Sequence, residues 1–205
     1  MAHLEWEQTC WRDGYRFVAG VDEAGRGALA GPIVAAAVIL PSDFVLTNIA
    51  MQIDDSKQLS ERKRSEMAAV VRDIALCWGV AFVEASVIDM LGLARANRMV
   101  MERAVEQLSC QPDMVLLDAL TCEIGMPQIG LIDGDAISLS IAAASILAKT
   151  ERDRYMRAHH LVDDRYHFDR HVGYGTTVHL DALRQHGPST MHRLSFRGVA
   201  LGATE

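Results

Sequence analysis

Long apolar runs are missing from this chain: half of its 205 residues are hydrophobic, yet no stretch approaches the ~20 needed to span a bilayer. The amino-terminal Met-Ala-His-Leu-Glu-Trp-Glu-Gln is polar and acidic and lacks a signal-peptide pattern, so a cytoplasmic protein is expected. Paired cysteines are missing too. Cys10, Cys77, Cys110 and Cys122 are scattered, without the spacing of a zinc site, and free thiols are expected. Internal repeats, low-complexity tracts and flexible linkers are also absent. Positive charge is short, with a formal net charge of −7, which taken alone speaks against a polyanionic partner.

The shortage of positive charge is uneven. Residues 149–197 carry nine Lys/Arg against six Asp/Glu and hold seven of the eight histidines, whereas residues 1–148 carry eleven basic and twenty acidic residues. A histidine-rich final third facing a polyanion and a dispersed solvated surface both fit those counts.

The most informative stretch is Phe17-Val-Ala-Gly-Val-Asp-Glu-Ala-Gly-Arg-Gly27. An apolar run ends in two adjacent carboxylates, Asp22 and Glu23, followed by Gly25-Arg26-Gly27. Phe17–Val21 and Ile33–Leu40 read as neighbouring buried strands joined by this glycine-rich turn. Asp54–Leu59 reads as a polar loop, with Ser60 capping a helix that runs to about Cys77. Val80–Val83 reads as a strand, Leu93–Leu108 as a helix, and Asp113–Asp118 and Gln128–Ile132 as two more strands. Ala136–His159 reads as one long helix, rich in small residues in its first half, and Val178–Gln185 as a short one ended by Gly187-Pro188. The order predicts an α/β fold, a mixed sheet with helices on its faces.

Asp22, Glu23, Asp118 and Asp135 all fall at or just beyond the carboxyl ends of expected strands, where open α/β sheets collect ligands. Neighbouring strands lie ~4.8 Å apart, so acids there can share one or two metal ions. All four offer oxygen, which selects Mg²⁺ or Mn²⁺ over zinc. Adjacent strand residues point to opposite faces, so Asp22 and Glu23 converge only if the pleat breaks there. Singly, each acid has a plainer role: Asp135 as the N-cap of the long helix, Asp118 as a turn residue, Asp22-Glu23 as a solvated turn. Asp133 is read as a loop residue and not a ligand.

Beyond these acids, the chain resembles the bacterial ribonuclease HII family of the RNase H-like superfamily. The resemblance lies in Gly20–Gly27 with Ala30-Gly-Pro32, Asp55-Ser-Lys-Gln-Leu-Ser60, Gly134-Asp135, Ser140–Lys149, Arg152-Asp-Arg154, His171-Val-Gly-Tyr-Gly-Thr176, His179-Leu180, Gly187-Pro-Ser189, His192-Arg193 and Ser195-Phe196. It implies one RNase H-like nuclease domain over residues 1–205, with a helical substrate-binding region at about 160–200. It implies cleavage of the RNA strand of RNA–DNA hybrids and incision 5′ to ribonucleotides embedded in duplex DNA, for their removal during replication and repair. The products have 3′-hydroxyl and 5′-phosphate ends, and the enzyme works as a monomer. By family pattern Asp22, Glu23, Asp118 and Asp135 hold a two-metal site of Mn²⁺ or Mg²⁺. Gly25-Arg26-Gly27 contacts the ribose 2′-hydroxyl and Tyr174 packs on the neighbouring sugar. Lys57 and Lys149 read as phosphate contacts, and no histidine is assigned a catalytic role.

The chain departs from the pattern in four places. Ala119-Leu120 follows the third acid where Gly and a polar residue are usual. Asp133 replaces a basic residue, Ile137 a polar one, and His167 a glycine. The added negative charge predicts weaker phosphate binding or altered metal affinity, and leaves a catalytically weakened hybrid-binding protein as one alternative. A type HIII ribonuclease is the other, although Arg26 stands where that type has lysine and only residues 1–16 precede the first expected strand.

Overall fold

A computed structural model describes residues 2–45, 53 and 59–200. Its elements, in order, are α1 (Glu5–Arg12), β1 (Val18–Ala24), β2 (Ile33–Ile39), α2 (Glu61–Ile74), β3 (Cys77–Val83), α3 (Ala85–Leu91), α4 (Leu93–Glu106), β4 (Met114–Asp118), β5 (Gln128–Leu131), α5 (Gly134–Ile137), α6 (Leu139–His160), α7 (Phe168–His171), α8 (Thr177–His186) and α9 (Arg197–Ala200). A 3₁₀ turn spans Asp164–Tyr166. The strands form one sheet in the order β3-β2-β1-β4-β5. The β1–β2 and β2–β3 pairs are antiparallel, and β1–β4 and β4–β5 are parallel. This is the expected mixed sheet with helices on both faces.

Helices can cover both faces because β2 reads Ile-Val-Ala-Ala-Ala-Val-Ile and is buried throughout. On one face Ala36 and Val38 meet Ala142, Ala143, Ile146 and Leu147 of α6, with Met67, Ala68 and Val71 of α2 outside them. On the other, Val21, Ala35 and Ala37 meet Ala96, Val100, Met101 and Ala104 of α4. A third cluster, Met156, Tyr166, Phe168, Val172, Ala182, Leu183 and Met191, forms a carboxy-terminal lobe at the end of α6. Among the described residues no helix is long and apolar enough to cross a membrane, and all four cysteines are free thiols.

Several boundaries differ from the sequence reading. β1 does not stop at Val21: Asp22 and Glu23 stay in the ladder opposite Ala36 and Ala35. α2 is capped by the Ser60 hydroxyl, which accepts from the Lys63 amide at 3.4 Å, but ends at Ile74, and β3 begins at Cys77 instead of Val80. α1 and α3 were not anticipated. The expected long helix is two, broken at Ser138, whose backbone is extended (φ −122°, ψ 126°). Ser138 caps α6, so Asp135 is not its N-cap. The break is held by Glu7, whose Oε1 accepts from Ser138 Oγ (2.6 Å), Ser140 N (2.9 Å) and Ser140 Oγ (2.6 Å).

Candidate active site

The carboxyl ends of β1 and β4 open into a cleft of about 260 Å³. It is lined by Asp22, Glu23, Gly25, Arg26, Gly27, Asp118, Ser145, Lys149 and Tyr174. A larger cavity, about 470 Å³, lies near the end of α4 among Glu102, Glu106, Cys110 and Glu123. It holds none of the strand-end acids, and chemistry rather than volume locates the site.

Because β1 runs through the acids, the two side chains leave it on opposite faces, as the period of a strand requires. Asp22 turns toward α6, where the Ser145 side chain hydrogen-bonds to it, and its Oδ1 also accepts from the Glu23 amide at 2.7 Å. Glu23 turns toward α4 and Asn97, and its Oε1 lies 3.4 Å from Arg26 Nη1. The expected break in the pleat is therefore not what brings them to one cleft; both reach it because the strand ends there. Asp118 closes β4, and its Oδ1 accepts from the Gly134 amide at 2.8 Å. That bond seats Asp135 next door, 4 % exposed, although Asp135 is not among the residues lining the cleft.

Burial, and then the charge of Glu23, hold Asp22 well above the ordinary carboxyl range. Burial raises Glu23 also, with Asp118 adding to the rise and Arg26 opposing it. Among the described residues, no three acidic, histidine or cysteine side chains are grouped tightly enough to grip a metal ion as they stand. The donor set nevertheless fits a hard divalent cation. Every candidate ligand is an oxygen, and Glu23 Oε2 is buried without a hydrogen-bond partner, a cost that a cation would remove.

Behind the cleft stand two buried arginines. Arg152 donates to the carbonyls of Pro32 (3.0 Å), Val172 (2.9 Å) and Ala30 (3.0 Å). Arg193 donates to Gly31 O twice (3.0 and 2.9 Å) and to Arg26 O (2.9 Å). Gly25, at φ 93°, must be glycine, since a Cβ there would sit 2.0 Å from Arg152 Nε. Gly27 has no atom within 4 Å of its would-be Cβ, so nothing inside the protein demands a glycine at that position.

Tyr174 lies half-buried at the rim with its ring near two cations, 5.3 Å from the Arg152 guanidinium and 5.6 Å from Lys149 Nζ. Lys149 is held at the lip by Asp153 (2.6 Å), whose other oxygen lies 3.1 Å from Arg64 Nη1. Burial lowers the Lys149 pKa, partly offset by Asp153. Lys57 lies outside the described residues. Thus Asp22, Glu23, Asp118, Gly25, Arg26, Gly27, Lys149 and Tyr174 meet in one cleft.

Residues 19–199 match the family description of ribonuclease HII. The chain is 48% identical over 196 residues to ribonuclease HII of Halalkalibacterium halodurans, covering 96% of this chain and 73% of that one. The chain belongs to the ribonuclease HII family. It is accordingly an endoribonuclease, a hydrolase. Ribonuclease HII of Lactobacillus delbrueckii subsp. bulgaricus is 46% identical over 200 residues, covering 98% and 76% of the two chains. In fold the chain is similar to the crystal structure of ribonuclease H2 from Pyrococcus horikoshii (TM-score 0.76, 22% identity, 91% and 96% of the two chains).

Sequence reasoning missed Ser145, Asn97, Arg152 and Arg193 as parts of this site. Ser145 sits in a run read as close packing and as part of the family resemblance, with no role of its own, and Asn97 in a run read only as a helix. The two arginines carried no signal beyond the family resemblance, because their partners are backbone carbonyls.

Two departures from the family pattern acquire a structural meaning. Ala119 (φ 59°) and His167 (φ 56°) occupy left-handed backbone, which favours the glycine that the family usually has there.

Proposed function

We propose that this member of the ribonuclease HII family cleaves the RNA strand of RNA–DNA hybrids and incises duplex DNA 5′ to an embedded ribonucleotide, leaving 3′-hydroxyl and 5′-phosphate ends. The carrying observation is that the acidic strand ends and Gly25-Arg26-Gly27 line the same cleft. Asp22, Glu23, Asp118 and Asp135 would hold Mg²⁺ or Mn²⁺. Once bound, such a metal pair supplies a water activated near neutral pH and charge stabilisation for the leaving oxygen.

The chain's own residues provide selection and placement. The open face of Gly27 lets backbone approach a sugar edge, where the 2′-hydroxyl distinguishes RNA from DNA. Arg152 and Arg193 hold the carbonyls of this loop inward, so it meets the sugar in one shape. Tyr174 offers a ring face to the neighbouring sugar, and Lys149 a cation to the phosphate between them. Lys57 is proposed as a further phosphate contact. The carboxy-terminal lobe, about 160–200, extends the substrate-binding surface of a single nuclease domain, and the enzyme acts as a cytoplasmic monomer.

Duplex DNA with one ribonucleotide, incubated with Mg²⁺ and Mn²⁺ in parallel, should be cut once, on the 5′ side. Binding without cleavage at every metal concentration would identify a catalytically weakened hybrid-binding protein instead.

A further inference from the structure

Three histidines stand buried in the carboxy-terminal lobe, His179 at 0 %, His192 at 2 % and His171 at 7 % exposure. They wrap Phe168, whose ring centroid lies 5.6 Å from His179, 5.7 Å from His192 and 6.0 Å from His171. None lines the cleft, but their hydrogen bonds run to it.

The proton positions follow from the backbone. The Ser189 amide donates to His192 Nδ1 at 3.0 Å, and Ser189 Oγ lies at the same distance. A nitrogen that accepts an N–H carries no proton, so His192 has its proton on Nε2. His192 Nε2 lies 3.0 Å from His179 Nε2, and with one proton between them His192 donates. The His179 proton is thereby placed on Nδ1, which donates to the Tyr174 carbonyl at 3.0 Å. His171 is set independently: its Nδ1 accepts from the Gly173 amide at 3.2 Å, and its Nε2–H donates to Tyr166 O at 2.8 Å. Burial pushes His179 and His192 down to about 4, so at neutral pH both rings are uncharged. A second proton would set two N–H groups against each other across the 3.0 Å contact.

The chain of donors ends on the Tyr174 carbonyl, two residues after a strained position. Val172 is left-handed at φ 44°, a costly conformation for a β-branched residue, and Arg152 holds its carbonyl. The Gly173 carbonyl accepts from Leu29 and Ala30, and the Tyr174 carbonyl also accepts from the Thr176 amide at 2.8 Å. The segment carrying Tyr174 is thus fixed from the arginine side and from the histidine side.

We propose that His179 is the positioning residue for Tyr174, a neutral Nδ1–H imidazole whose tautomer is dictated through His192 by the Ser189 amide. This rests on the reading of Tyr174 as a substrate contact. A single ribonucleotide in DNA offers only one register in which the ring and Gly25-Arg26-Gly27 act together, whereas a continuous hybrid offers many. Loosened placement therefore costs most at the single site.

Two half-replacements separate the ends of His179. In His179→Gln the amide oxygen reaches the position of Nε2, keeping an acceptor for His192 but leaving no donor for Tyr174. In His179→Asn the amide nitrogen reaches the position of Nδ1, keeping that donor but abandoning His192. The Gln variant should melt closer to the wild type than the Asn variant does, while kcat at a single embedded ribonucleotide falls on the order of tenfold, with KM little changed and a smaller fall on continuous hybrid. The Asn variant should melt lower and recover the single-site preference. If both variants lose stability and activity in parallel, His179 only packs and the proposal fails.

Long-range ¹H–¹⁵N correlation of the imidazoles in the wild-type protein at neutral pH supplies a readout without substrate. His179 should appear as the Nδ1–H tautomer and His171 and His192 as Nε2–H. An Nε2–H or charged His179 overturns the relay. Wild-type protein that cuts no ribonucleotide substrate would overturn the proposed function, while the spectrum still judges the relay.

Discussion

The acidic floor of the cleft and the histidine lobe beside it bury titratable groups in opposite ways. On the floor, Asp22 and Glu23 crowd one another and Asp118, and a Glu23 oxygen is left unpartnered. In the lobe, every ring nitrogen of His171, His179 and His192 has a partner. Satisfied polar networks rigidify, and unsatisfied ones hold free energy that a ligand can release. The protein is firm where it must hold a ring in place and strained where it must take up charge.

The largest effect that sharpens this contrast belongs to Asp118→Asn. The amide oxygen can still accept from Gly134 N, so the fold should persist, while removal of one negative charge relieves Asp22 and Glu23. Turnover should fall by orders of magnitude and the melting temperature should not drop. Wild-type rates in this variant would take Asp118 out of the chemistry.

Arg152→Met attacks the firm side. It abandons three buried carbonyls, and at about 1–3 kcal/mol for a group left unpaired the loss should be on the order of 3 kcal/mol or more by denaturant unfolding. A loss below about 1 kcal/mol would show that the segment around Tyr174 does not depend on this clamp.

Acid should set the two regions against each other. His179 and His192 sit near 4 in the fold against 6.5 when free. Their contribution to stability is present above the free value and is lost as pH falls from about 6.5 toward 4. The raised Asp22 and Glu23 act in the reverse sense: their contribution is present below the free carboxyl range and is lost as pH rises through their folded values. Between pH 7 and 5 the hydrogen-exchange protection factors, taken against the slower intrinsic exchange in acid, should therefore fall first around residues 166–192 while β1 stays protected. A uniform fall in protection would erase the distinction.

The smallest expected effect is a gain. Ala119→Gly removes left-handed strain beside Asp118 and should stabilise the protein by about 1 kcal/mol, readable as a small rise in melting temperature. Destabilisation would mean that the alanine methyl packs usefully.

What could be read from the sequence was local. Apolar runs ending in acids revealed β1, β4 and their functional ends, and the 3.6-residue spacing of Ala96, Val100 and Ala104 revealed α4. The true end of β1 was not legible, because Asp and Glu disfavour strands and only pairing with Ala35 and Ala36 of β2 carries the ladder through them. The break at Ser138 was hidden for a different reason, its partner Glu7 lying 131 residues earlier. The buried arginines and the histidine relay bond to the main chain, which has no residue identity to read. His167 and Ala119 looked like chemical departures, but the structure makes them matters of backbone conformation.

Glu7 has a consequence for where this nuclease can be cut down. The family description begins at residue 19, and a chain trimmed to that boundary would still carry all four candidate acids. It would remove the side chain that fastens Ser138 and Ser140, and with it the anchor of the short helix carrying Asp135. The span that carries the chemistry and the span that carries the mechanical support are different, and a minimal enzyme has to keep the second.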